Sequence, residues 1–121
     1  MSGRAVEFWC HHPIDLEEIF RRFTKAFPAS EFVHDAENVW EWFDGRTDDN
    51  RIGFNISRQW EEDQIPDEPV RMSLLLHDDT VCVDEVGQSL AEVFGVAVHT
   101  GNVQYVNGDT FDFNVVKTYF S

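Results

Sequence analysis

Histidine–carboxylate neighbours are the residues of this chain whose types could support acid–base chemistry. They occur at 34–35 (His-Asp) and at 77–79 (His-Asp-Asp), and a carboxylate that faces an imidazole raises its basicity. Adjacent positions do not by themselves place two side chains together, however, and the ends of loops often carry such pairs. We therefore interpret both segments as loop ends, and an enzyme that uses an unrecognised carboxylate/His site is the alternative.

His11 and His12 are candidate ligands for a metal ion. Neighbouring side chains on a strand point to opposite faces, so two adjacent imidazoles rarely bind one ion together. The chain contains no CxxC, HxxxH or HExxH pattern, its glycines are spread singly, and its serines lack the setting of a nucleophile elbow. The sequence therefore predicts no metal, no cofactor and no catalytic residue.

Carboxylates are the most abundant functional group in the chain. Asp and Glu total 23 against nine Lys and Arg, which gives a formal net charge of −14. Sixteen of the acidic residues lie between Glu31 and Glu85 together with four arginines, so this segment carries 16 negative and 4 positive charges, or −12. Its carboxylates do not follow the spacing of a calcium loop, and a glycosidase pair would need two of them across a cleft.

This charge bounds the kind of partner. Phosphates repel carboxylates, which argues against DNA, RNA and anionic membranes as ligands. The same charge favours a basic protein partner, reached by electrostatic steering. A solvated acidic face that keeps the protein soluble would also account for the charge, and so would salt adaptation, which seven arginines against two lysines would fit. Eleven phenylalanines and the regional distribution of the acids speak against salt adaptation.

Tryptophans accompany the acidic segment and sharpen the prediction of a binding surface. Trp40 and Trp42 share one side of a predicted strand, where core packing is the more ordinary role. Trp60 ends the next predicted strand, directly before an acidic loop. A tryptophan ringed by carboxylates is typical of an interaction hot spot, in which the ring anchors and the acids select. We predict a partner-binding surface formed by Asp44, Asp48, Asp49, Trp60, Glu61, Glu62, Asp63, Asp67 and Glu68.

Apolar periodicity predicts two helices. Residues 15–27 place apolar side chains at the i, i+3, i+4, i+7 spacing of one helical face, with Asp15 and Glu18 as a capping box and Pro28 as the stop. Residues 84–94 predict the second helix, which Gly95 ends. Gly87 weakens that helix, because glycine is a poor helix former.

Alternation of apolar and polar residues predicts seven strands around these helices. They cover residues 5–10, 38–44, 51–60, 71–77, 96–99, 103–106 and 111–120. Asn107-Gly108 is the strongest hairpin signal among them. The order β-α-β-β-β-α-β-β-β predicts an α+β fold, a mostly antiparallel sheet of about five to seven strands with two helices packed on one face.

Length and composition predict a single globular domain over residues 1–121. A chain of this size with 42% hydrophobic residues can bury a core without disulfides or metals. Cys10 and Cys82 lack motif spacing, so we expect buried thiols, with a disulfide or a reactive thiol as the alternative. No stretch approaches the roughly 18 apolar residues of a membrane span, and no signal region opens the chain, so we expect a cytoplasmic protein.

The chain resembles the small acidic immunity proteins of bacterial toxin systems, such as contact-dependent inhibition and other polymorphic toxins. The features that carry the resemblance are the small α+β domain, its regional charge, the acidic loop EEDQIPDE with aromatic residues beside it, and the lack of a catalytic signature. The resemblance implies a non-enzymatic antidote that binds and neutralises a cognate basic toxin domain, with a nuclease as the favoured activity. Its carboxylates would then take the positions of nucleic-acid phosphates and pair with toxin arginines or lysines.

A second class of protein stays open beside this one. The C-terminal third is nearly uncharged and ends in the aromatic pair Tyr119-Phe120. An unprotected strand edge there would invite pairing with another chain, as in an adaptor or a homo-oligomeric assembly module. The sequence is therefore compatible with a monomer or a homodimer.

Overall fold

The computed structural model describes residues 3–37, 40–59, 69–107 and 110–121, apart from the side chains of residues 107, 110 and 111. The elements are, in order, β1 (Arg4–Cys10), α1 (Leu16–Ala26), β2 (Phe32–Glu37), β3 (Trp40–Arg46), β4 (Ile52–Gln59), β5 (Val70–Leu76), α2 (Val83–Phe94), β6 (Val98–Asn107) and β7 (Thr110–Tyr119). The strands form one seven-stranded sheet in the order β2-β3-β4-β5-β1-β6-β7. All neighbouring strands are antiparallel, and the predicted α+β fold is confirmed.

Strand alternation decides which face of the sheet is covered. In β4 and β5 every second residue is buried, including Ile56 and Met72, and these side chains lie under the two helices. α1 contributes Phe23 and α2 contributes Leu90 to the same core cluster. The two helices contact each other and pack on this one face, which we name the covered face. Neither helix in the described part of the chain has the length and apolarity needed to cross a membrane.

The first helix begins as predicted but uses only half of a capping box. The Asp15 side chain accepts a hydrogen bond from the backbone N–H of Glu18 at 2.8 Å, and the helix ends at Phe27, just before Pro28. The Glu18 carboxylate does not return to the N-cap and instead pairs with Arg21 and Arg22. The hydrogen bond from Arg21 lowers the pKa of Glu18 to about 2.

One strand was not predicted. Residues 32–37 form β2, which pairs with β3, so His34 and Asp35 lie within a strand and not at a loop end. All six residues of β2 are exposed, because the strand is at the edge of the sheet. Exposure on both faces removes the alternation by which the other strands are recognised.

The C-terminal third contains two long strands, where three shorter ones are predicted. β6 and β7 pair along their lengths on either side of the predicted Asn107-Gly108 turn, of which Gly108 lies outside the described residues. The register shifts at Thr100/Gly101 and again at Tyr105/Asn107, and each shift interrupts the apolar pattern. A side chain at Gly101 would overlap the carbonyl oxygen of Asn114, so glycine allows the first irregularity.

The ring of Tyr119 packs directly on α2, which explains why a glycine stands at position 87 within the helix. A Cβ at this position would overlap the ring. We expect Gly87→Ala to lower the free energy of unfolding by about 1–2 kcal/mol, since overpacking outweighs the gain of roughly 1 kcal/mol in helix propensity. The measurement is urea unfolding.

The control for this prediction is the same substitution without the ring. In a Tyr119→Val background, Gly87→Ala is expected to stabilise the helix, because only the propensity gain is left. Stabilisation by Gly87→Ala in the wild-type background would contradict the packing that we describe.

The two cysteines differ in environment. Both thiols are free, and Cys10 is buried as predicted, whereas Cys82 is exposed, contrary to the expectation, because it lies at the start of α2. Burial raises the pKa of the Cys10 thiol to about 12. We expect a thiol reagent to label one cysteine, Cys82, in the folded protein and the second only in denaturant. Rapid labelling of both in native buffer would contradict this assignment.

Candidate protein-binding surface

Carboxylates collect on the side of the sheet that ends in β2 and β3. These two strands contain a single arginine, Arg46, and no lysine. Seven acidic residues lie on the strands or in the loops that flank them, and we name this set the acidic edge: Glu31, Asp35, Glu37, Glu41, Asp44, Asp48 and Asp49. At the other side of the sheet, the described side chains of β6 and β7 include two charged residues, Asp112 and Lys117, whose charges cancel. The regional charge of the sequence is therefore also regional in space.

Among the described residues, internal cations reach the acidic edge through longer-range electrostatic interactions, of Arg58 with Glu41 and of Arg51 with Asp49. Within the part of the chain that the structure describes, no lysine or arginine forms an ion pair with any of its seven carboxylates. Glu41 contacts the imidazole of His34, and its Oε2 lies 2.7 Å from the Nε2 of His34. The arginine ion pairs lie elsewhere: Arg21 and Arg22 with Glu18, Arg51 with Asp78, and Arg71 with Glu7.

Two of the predicted partner-binding residues hold the β3–β4 turn in place. Asp48 accepts hydrogen bonds from the backbone N–H and the hydroxyl of Ser30, at 2.7 and 3.0 Å, and so ties the turn to the segment after α1. Asp49 accepts from the Thr47 hydroxyl at 2.6 Å and from the Arg51 N–H at 3.0 Å. These bonds, that from Thr47 above all, hold the pKa of Asp49 below its usual value. Both carboxylates therefore have a structural role besides their charge.

Asp44 lies on the face of β3 that the helices leave open. Its carboxylate accepts a hydrogen bond from the Asn55 side chain on the neighbouring strand at 3.0 Å. Together with Asp48 and Glu31 it lines an open cleft of about 650 Å³. The remaining predicted residues, Trp60, Glu61, Glu62, Asp63, Asp67 and Glu68, lie outside the described residues.

A second opening, on the covered face, was not predicted at all. It lies between α1 and strands β2 and β3, has a volume of about 610 Å³, and its floor consists of Phe20, Phe32, His34 and Phe43. His34, Phe43 and Phe20 form a stack, with ring centroids 4.0 and 4.2 Å apart and ring planes within 8°. Phe32 packs on Phe20 at 4.7 Å and is 45% exposed. We name this opening the aromatic groove.

Carboxylates line the rim of the aromatic groove. They are Asp15, Glu17 and Glu18 at the start of α1. Glu18 already forms an ion pair with Arg21. Within the described chain Glu17 has no ion pair. An exposed ring next to a carboxylate suits a guanidinium, which can stack on an aromatic face while it pairs with an acid. The arrangement can therefore receive a basic side chain of a partner.

His34 contacts a carboxylate on the neighbouring strand and not the carboxylate next to it in the sequence. The contact runs across the two strands to Glu41, while Asp35 belongs to the opposite face of β2. The second segment that suggested acid–base chemistry does not form a pair either, since Asp78 binds Arg51 and the backbone N–H of Thr80. Phe32 and His34 lie on one face of β2 because they are two residues apart on a strand, so the groove can be recognised only once residues 32–37 are recognised as a strand.

Trp40 and Trp42 do not lie in the core under the helices, so the expectation of core packing is wrong. Their strand partners are Gln59 and Ser57, which places both rings on the open face, where they are half-buried. The open face also holds Trp9, which is 3% exposed and whose ring centroid lies 5.1 Å from that of Phe113. The three tryptophans that the structure describes therefore lie on the side of the sheet that lacks helices.

The imidazole of His12 contacts the end of α2. The His12 Nε2 lies 3.1 Å from the carbonyl oxygen of Phe94 at the end of α2. Desolvation lowers the pKa of His12. The described residues contain no group of three or more His, Cys, Asp or Glu side chains that could hold a metal ion.

What defines this protein is therefore an antiparallel sheet with two helices on one face, an acidic edge and an aromatic groove beside it. Comparison with protein-family models, with curated proteins and with solved structures finds no match to the chain. The resemblance to immunity proteins accordingly stays a prediction. The residues of the two surfaces are the basis on which a function can be argued.

Proposed function

We propose that this protein is a non-enzymatic, cytoplasmic binding domain of the immunity type, which neutralises a cognate basic toxin domain, with a nuclease as the favoured activity. The observation that carries the proposal is the acidic edge, whose seven carboxylates have no lysine or arginine ion pair among the described residues. Like charges held together repel each other, and a cationic partner relieves that repulsion.

Neutralisation would follow from mimicry of phosphates. A nuclease binds the backbone of its substrate with arginines and lysines, and a carboxylate can form charge-assisted hydrogen bonds with the same side chains. Glu31, Asp35 and Glu37 are exposed and project from one edge of the fold, where they can enter a basic cleft. Occupation of that cleft keeps nucleic acid out.

The energies are sufficient for tight binding. A close interfacial charge pair contributes a coupling energy of about 1.5–7 kcal/mol, and a subnanomolar complex requires about 12 kcal/mol or more. A few such pairs reach this range when an aromatic anchor adds to them. Phe32 in the aromatic groove can supply that anchor, because it is 45% exposed and lies next to the carboxylates of α1.

The distribution of charge favours this proposal over salt adaptation. A salt-adapted surface gains from carboxylates on all sides, whereas the charges on the described side chains of β6 and β7 cancel. Concentrated charge also steers a partner of opposite sign and raises its association rate.

The test is recovery of the natural partner from the protein's own cells. The tagged protein is used at low salt, and bound material is eluted by raising NaCl from roughly 50 to 500 mM, which shortens the screening length. We expect a basic protein that elutes with salt and whose nuclease activity is lost on stoichiometric addition of this protein. Recovery of nucleic acid or a metabolite alone, or of a partner that salt does not release, would overturn the proposal.

A further inference from the structure

The sheet ends opposite the acidic edge in β7, a strand of ten residues. Among residues 3–37, 40–59, 69–107 and 110–121, β7 pairs with β6 and with no other strand. Its outer side presents backbone N–H and C=O groups that can pair with a further strand, on either side of the irregularity at which Val116 has no register partner in β6. β2, at the other end of the sheet, offers six residues, three of which are carboxylates or histidine.

Exposed apolar side chains concentrate on the same hairpin. Of the eight large hydrophobic residues that are exposed in the described chain, five lie on β6, β7 or directly after β7: Tyr105, Val106, Val115, Val116 and Phe120. Val116 is 71% exposed and Phe120 is 70% exposed. Five such residues on one hairpin favour an interaction at its edge, whereas single exposed hydrophobic residues need no explanation.

Of the two charged residues described on β7, Asp112 is exposed, whereas Lys117 is turned away from the edge. Lysine on an edge strand normally discourages pairing with another chain. Here the Lys117 ammonium lies 2.8 Å from the Asp84 carboxylate at the start of α2 and 5.2 Å from the centre of the Tyr119 ring. It therefore belongs to the covered face.

We infer that β7 pairs with β7 of a second copy of this chain, antiparallel and about a two-fold axis, so that two seven-stranded sheets become continuous. Charge selects this partner. Two chains of net charge −14 repel each other least where the local charge is smallest, and the described side chains of β7 carry one charge of each sign. A basic protein would be drawn instead to the acidic edge, at the other end of the sheet.

The dimer leaves both acidic edges free at the outer ends of the extended sheet. It is therefore independent of the proposed function, and the two respond to salt in opposite directions. Screening weakens attraction to a basic partner, but it also weakens repulsion between two acidic copies. Self-association should thus become tighter as NaCl is raised.

Sedimentation velocity of the full chain tests this inference, in a Cys82→Ser background that excludes disulfide-linked dimers. We expect a monomer–dimer equilibrium with a Kd in the range of about 1–100 μM, tighter at roughly 500 mM than at 50 mM NaCl. Val116→Lys should weaken the dimer about tenfold or more, since a desolvated lysine is brought to the edge. Because it also makes the net charge less negative, a general charge effect would act in the opposite direction.

The matched control is Val33→Lys, on the opposite edge strand. Val33 is 59% exposed on β2, so the substitution has the same chemistry at the other end of the sheet and should leave the Kd unchanged. Circular dichroism verifies that both variants are folded. A monomer at all concentrations up to about 300 μM, an equal loss with Val33→Lys, or a dimer that salt dissociates would each overturn the inference.

Discussion

Replacing three carboxylates of the acidic edge by lysine is expected to weaken binding of the recovered partner by roughly 100-fold or more. The residues are Glu31, Asp35 and Glu37, which are exposed and have no ion pair with a described lysine or arginine. Each substitution removes an attraction and adds a repulsion, and a total of about 3 kcal/mol corresponds to more than 100-fold in Kd. Most of the loss should appear in the association rate at low salt, because steering depends on long-range charge.

A variant with the same change in net charge separates location from total charge. Asp79, Glu85 and Glu92 are also exposed and without an ion pair in the described chain, but they lie after β5 and on α2. Their replacement by lysine should change affinity only a few-fold. Association rates measured by stopped flow at two NaCl concentrations decide the matter. If both triple variants lose affinity equally, net charge and not the acidic edge drives binding.

Asp48 and Asp49 are unsuitable for this experiment, although charge alone places them on the predicted binding surface. Their carboxylates hold Ser30 and the β3–β4 turn, so their replacement would disturb the fold as well as the charge. The residue types Thr-Asp-Asp-Asn between two strands are typical of a turn in which side chains bind the backbone. The sequence therefore allows this interpretation. Charge by itself does not distinguish a carboxylate that stabilises a turn from one that binds a partner.

The parts of the fold that the sequence predicts are those with one buried face. β4, β5 and α1 alternate or repeat with the period of their element, because half of each is packed against the core. β2 has no buried residue and so no such period. Its absence from the prediction also hid the aromatic groove, since β2 is the element that brings His34 to Glu41 and Phe32 to Phe20.

Arg58 illustrates how alternation can be right while composition misleads. It follows Ile52, Phe54 and Ile56 at the same spacing on β4, so the period places it on the covered face, and it is 4% exposed. An arginine at a core position contradicts the ordinary preference for apolar residues there. The contradiction is resolved by the segment between β1 and α1, whose backbone carbonyls need donors and find them in this guanidinium.

Arg58→Ala is therefore expected to lower the free energy of unfolding by about 3 kcal/mol, a large share of the stability of a small domain. The guanidinium donates to the carbonyl oxygen of His12 at 2.6 Å and to that of Ile14, and its loss leaves both acceptors without a partner in a partly buried loop. Burial lowers the pKa of Arg58. The variant removes the hydrogen bonds that the buried guanidinium donates. Arg58→Met, which keeps the packing of the stem but no donor, should recover only part of the loss.

Arg51→Ala is the matched control, since Arg51 lies directly before the same strand but is 43% exposed and pairs with Asp78 at the surface. An exposed ion pair contributes less than about 1 kcal/mol, so this variant should unfold close to the wild type in urea. Loss of secondary structure, followed by circular dichroism, gives both free energies. Equal stability of the two alanine variants would mean that solvent satisfies the His12 and Ile14 carbonyls as well as Arg58 does, and that the loop before α1 does not depend on this side chain.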